Sequence, residues 1–107
     1  MPQTLDGRLK QRLRAVLEHE PVTEAELRKL TEEGRACALI LGARLERSER
    51  ALAELGDDPA SSLAEIATAL REVNDLRPDL AELNALLAQL NGRAREFRRS
   101  WVLAQSD

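Results

Sequence analysis

LRPDLAELNALLAQLNGRAREFRRSW, from Leu76 to Trp101, carries apolar residues at Leu76, Leu80, Leu83, Leu87, Leu90, Ala94, Phe97 and Trp101, spacings that alternate between four and three. That alternation marks a helix with one buried stripe. Leu86 forms a second row with Leu90 and Ala94, so the stripe is wider than a single partner helix would cover. Both aromatic residues of the chain, Phe97 and Trp101, stand at its far end. A segment of this kind has to lie against other helices, and the rest of the sequence supplies them.

The composition agrees. Of 107 residues 43% are hydrophobic, enough for a core, but only 2% are aromatic and 33% are charged, which describes long amphipathic helices in one domain rather than a sheet. The net charge is -3 with both signs interleaved, so no global field draws nucleic acid, and no nucleic-acid partner is expected. The single cysteine, Cys37, can form no internal disulfide. Residues 1–20 are charged throughout, and no segment approaches the roughly 20 apolar residues of a membrane span. The expectation is a cytoplasmic protein without membrane insertion.

In chain order, residues 6–19 read as a first helix, with Asp6 as N-cap and Leu5, Leu9, Leu13, Val16 and Leu17 on one face, stopped by Pro21. Thr23 and Glu26 make a capping box, and Val22 and Leu27 stand where a hydrophobic staple would, opening a second helix over 24–55 with Gly56 as its C′ residue. Gly34 and Gly42 within it read as points of close helix packing. Ala36 to Leu41 is apolar on every face, which predicts cover from more than one side. GDDPASS, residues 56–62, is the main turn. Ser62 and Glu65 form a second capping box, and the helix that follows places Leu63, Ile66, Leu70 and Val73 on its buried face. Pro78 predicts a kink or short break, giving helices over 63–76 and 78–103.

Folding the third helix back on the second pairs residues whose numbers sum to roughly 118, so that Leu52 faces Ile66, Leu45 faces Val73, Cys37 faces Leu80 and Leu30 faces Leu87. The expected fold is all-α: a long antiparallel helical hairpin with a shorter N-terminal helix packed on one end, three-helix-bundle-like there, and the third helix kinked at Pro78.

No catalytic constellation is present, and the chain reads as a non-enzyme with no cofactor. His19, the only histidine, rules out clustered-histidine metal sites, and it stands among charges at a helix end while Cys37 sits in an apolar run where a thiol is inert. Glu32–Glu33 and Asp57–Asp58 lack the glycine pattern of a calcium loop. Arg93, Arg95, Arg98 and Arg99 cluster near a helix C-terminus, where the dipole favours cations and suffices as an explanation. The lesser alternative is a site for a phosphate or an acidic partner, against which Glu96 and the acidic remainder dilute the field.

LRKLTEEGRACALILGARLERSERALAELG, residues 27–56, and LAELNALLAQLNGRARE, residues 80–96, resemble the central and final helices of small flagellar type III export chaperones of the FlgN/FliT kind, over a span from about Leu13 to Phe97. The resemblance implies a cytoplasmic helical protein that holds a flagellar hook-associated or filament-cap subunit before secretion. It would grip an amphipathic segment of that client with its last long helix. The implied partner-binding residues are Leu83, Leu86, Leu87, Leu90, Ala94, Phe97 and Trp101. The other reading of the same stripe is a homo-oligomeric coiled-coil scaffold or adaptor, a homodimer in the simplest case. For Phe97 and Trp101 the sequence leaves two outcomes open: a binding surface, or rings folded over Pro21 and Val22 to cap the bundle.

Overall fold

The computed structural model describes residues 5–18 and 22–105, with side-chain burial from Gly7 onward. Three helices make up the described residues: α1 (Leu5–Leu17), α2 (Glu24–Asp57) and α3 (Leu63–Gln105). The fold is all-α. The chain gathers into two compact units, one of residues 1–37 with 83–107 and the other of residues 38–82, and α2 and α3 each run through both.

In the first unit all three helices contribute to one core. Leu9, Leu13 and Val16 of α1 are buried, as are Leu27 and Leu30 of α2 and Leu83, Leu86, Leu87 and Leu90 of α3. Arg12 of α1 donates to Glu33 of α2 at 3.0 Å, and Arg98 of α3 lies 3.6 Å from Glu24. Thr23 caps α2 as the sequence predicts, its hydroxyl accepting from the Glu26 N–H at 3.1 Å. Gly34 lies against Leu87, one turn of α2 from the Leu30 that the sequence register set opposite Leu87, and both leucines are buried in this core. A side chain at position 34 would meet Leu87 Cδ2, which is the close packing expected of this glycine.

In the second unit α2 and α3 form an antiparallel hairpin around Leu41, Ser48, Val73 and Leu76. Two ion pairs flank it: Arg44 to Glu72 at 3.2 Å and Arg77 to Glu49 at 3.0 Å. The tip is built by side-chain caps. Asp58 Oδ1 accepts from the Ala60 N–H at 2.9 Å, and Ser62 and Glu65 exchange both capping-box bonds, at 3.1 and 3.4 Å.

Several expectations are corrected here. Asp6 lies inside the first turn of α1, since the helix begins at Leu5. His19 and Pro21 lie outside the described residues. Gly56 is inside α2, which ends at Asp57 on a tight turn closed by the Asp58 N–H on the Leu55 carbonyl, so Asp58 terminates the helix in place of the glycine. α3 is continuous through Pro78. The proline is on the exposed side while Val73, Leu76 and Leu83 around it are buried, so tertiary packing holds both halves in one helix and the missing hydrogen bond falls on the wet face. Leu63 and Leu70 are exposed, because a two-helix hairpin covers too little of each helix to bury a wide stripe. Leu39 and Ile40 are 76% and 65% exposed, so the all-apolar run of α2 is covered on one side only, at Leu41.

Gly42 differs from Gly34. Nothing lies within 4 Å of where its Cβ would stand, so close packing does not account for it. Gly42→Ala is therefore expected to stabilise the fold by about 0.5–1 kcal/mol through helix propensity alone, read as a higher urea midpoint at unchanged slope.

Candidate protein-binding site

The seven residues singled out on α3 divide into two groups. Leu83 and Leu90 are fully buried, and Leu86 and Leu87 nearly so; these four belong to the core of the first unit. Ala94 is half-buried, while Phe97 and Trp101 are 42% and 58% exposed. At a spacing of three to four residues the stripe stays on one face of α3 throughout. It runs from the core out to the surface. Val102 and Leu103, the next residues, are exposed as well.

The exposed end of that stripe borders a groove of about 420 Å³ between the start of α2 and the end of α3. One wall is α2, with Glu24, Leu27, Arg28, Thr31, Glu32 and Arg35; the other is α3, with Asn91, Ala94, Arg95, Phe97 and Arg98. Helical geometry explains why it is open. α1 lies over Glu26, Lys29, Leu30 and Glu33 of α2, and at 100° per residue the face bearing Glu24, Arg28, Thr31 and Arg35 points the opposite way. Among the described residues of the first unit, no element covers this α2–α3 groove. The Thr31 hydroxyl donates to the Leu27 carbonyl at 2.8 Å and is used within its own helix.

Charge on the groove is uneven. Glu24 is shared by Arg28 at 3.7 Å and Arg98 at 3.6 Å. Arg35 and Arg95 make no ion pair among the described residues. The helix dipole does not account for the arginine cluster, because α3 continues to Gln105 and its last turn holds no basic residue. Sequence reasoning missed the α2 wall altogether. Its residues read as a solvated face, and only the position of α1 shows which solvated face is also a groove wall.

Among the described residues no group of three or more His, Cys, Asp or Glu could hold a metal ion, and Cys37 is half-buried. No helix among them is long and apolar enough to cross a membrane. Comparison with known protein families, with characterised proteins and with solved structures finds no match for this chain.

Proposed function

We propose that this chain is a helix-binding chaperone that holds an amphipathic segment of a protein client against the end of α3. In the reading suggested by its resemblance to export chaperones, the client is a flagellar hook-associated or filament-cap subunit kept in the cytoplasm before type III secretion. One observation carries the proposal: the core stripe of α3 continues to Phe97, which lines an open groove, and on to exposed Trp101 one turn further along the helix. Helix-in-groove recognition needs an apolar stripe longer than the fold consumes. A tryptophan can bury about 150–250 Å², and such area left wet is a liability unless a partner uses it.

Trp101 is the only tryptophan and the chain has no tyrosine, so its emission reports on the end of α3 just past the groove. The free protein should emit with a solvent-exposed maximum that moves to the blue when a client segment is added. A maximum already blue in the free monomer and unmoved by any client would count against the site.

The second reading, a homo-oligomeric scaffold, is favoured by Leu39 and Ile40, two large apolar side chains exposed side by side on α2. Sedimentation at low concentration separates the two. A monomer supports the chaperone; a tight dimer dispersed by Leu39→Glu with Ile40→Glu supports the scaffold.

A further inference from the structure

We propose that the occupant of the α2–α3 groove is an acidic amphipathic helix, lying there as a fourth helix with carboxylates on both flanks of its apolar stripe. This rests on the protein-binding reading above and adds the chemistry of the partner. The chain as a whole is acidic, at -3, yet the charged side chains that line the groove are four arginines and two glutamates. The excess is cationic where the surrounding protein is not. Arg28 and Arg35 stand two turns apart on the α2 wall, and Arg95 and Arg98 line the α3 wall, Arg98 at the Glu24 end. Since Arg28 and Arg98 already share Glu24, the charge most available to a partner is that of Arg35 and Arg95, one on each wall.

Most of the lining is polar or charged, and its apolar part is Leu27, Ala94 and Phe97. Leu27 is buried, so Ala94, small enough to admit a facing side chain, and Phe97 are the apolar residues a partner would meet. From Glu24 to Arg35 the groove is ~17 Å long, about three helical turns. The matching partner has apolar residues at i, i+3, i+4 and i+7 with Asp or Glu on either side. All four cations are arginines, whose planar forks bind carboxylates through paired hydrogen bonds. A second copy of this chain docked groove to groove would instead set the same arginines against each other, and that repulsion disfavours it.

The test uses two hydrocarbon-stapled, fluorescently labelled peptides of about 14 residues. They share one Leu/Ala stripe; Glu flanks it in one and Lys in the other. Titrated against the full chain and followed by anisotropy, the Glu-flanked peptide should bind at least about tenfold more tightly, an advantage that shrinks as salt is raised. Arg35→Glu with Arg95→Glu should reverse the preference. Both positions are exposed, so circular dichroism should show the helices intact. If both peptides bind alike and both are lost in Phe97→Ala, the acidic partner is overturned while the protein-binding reading stands. If neither binds, the groove is not a docking site and both proposals fall. A dimer that Phe97→Ala dissociates would assign the groove to a second copy and overturn the acidic partner.

Discussion

Leu13→Ala and Leu90→Ala should each lower the unfolding free energy by about 3–5 kcal/mol, the upper range for a leucine truncated in a well-packed core, whereas Leu63→Ala should change it by less than about 0.5 kcal/mol. All three are leucines on apolar stripes, so sequence pattern alone would rank them together. The structure separates them: Leu13 and Leu90 have no exposed surface, while Leu63 is 84% exposed. Leu13 enters the core from α1 and Leu90 from α3, so each truncation leaves a void where three helices meet and the surroundings cannot collapse freely. Were the total stability near the low end of the usual range, about 5 kcal/mol, the larger of these losses would bring the chain close to its unfolding midpoint in water. Leu52→Ala and Ile66→Ala fall between, since both residues are half-buried at the two-helix level. Urea titrations of the five variants check the order, and equal losses at Leu13 and Leu63 would show that the burial pattern is wrong.

That contrast also shows which parts of the fold could be read from residues. The capping boxes at Thr23 and Ser62 depend on side chains three residues apart, and both form. The α3 stripe from Leu76 to Leu90 follows from local periodicity, and Leu76, Leu83, Leu87 and Leu90 are buried. Where a feature depends on what lies across the helix, local reasoning fails. Pro78 should break an isolated helix, but buried neighbours on the opposite face hold α3 together. Gly34 and Gly42 look alike in sequence, and only the approach of Leu87 to one of them distinguishes packing from open space.

The candidate site divides in the same way. Phe97 and Trp101 are legible as the end of a stripe, but the sequence register placed both beyond the start of α2, whereas Arg98 reaches Glu24 and Phe97 lines the groove beside the first turn of that helix. The four leucines before them belong to the same stripe but go to the core, since α1 adds a third helix to that unit. Arg95 and Arg98 are legible as part of a basic cluster, but the α2 arginines opposite them were invisible from the sequence for a different reason. A charge on a helix surface carries no mark of which neighbour stands beside it, and Arg28 and Arg35 become groove residues only through the placement of α3.

Gly34 supplies the second large effect, and its sign should depend on the partner. Adding a methyl group to Gly34 in a helix would ordinarily stabilise by about 1 kcal/mol. Here the new carbon would overlap Leu87 Cδ2 and stand 3.3 Å from Leu87 Cγ. Leu87 is itself nearly buried, so it has little room to turn away, and overpacking of this kind costs about 1–3 kcal/mol. Gly34→Ala alone should therefore be destabilising, and Gly34→Val more so. Leu87→Ala alone should cost about 2–4 kcal/mol by leaving a void over the glycine. In that background the methyl group of Gly34→Ala enters the space Leu87 has vacated, and the helix propensity gain is no longer opposed. The same substitution should then stabilise, giving a coupling energy of about 1–3 kcal/mol between the two positions. A double-mutant cycle by urea denaturation measures this directly. Additive effects would mean that Leu87 does not rest on Gly34, and that α3 meets α2 in a different register.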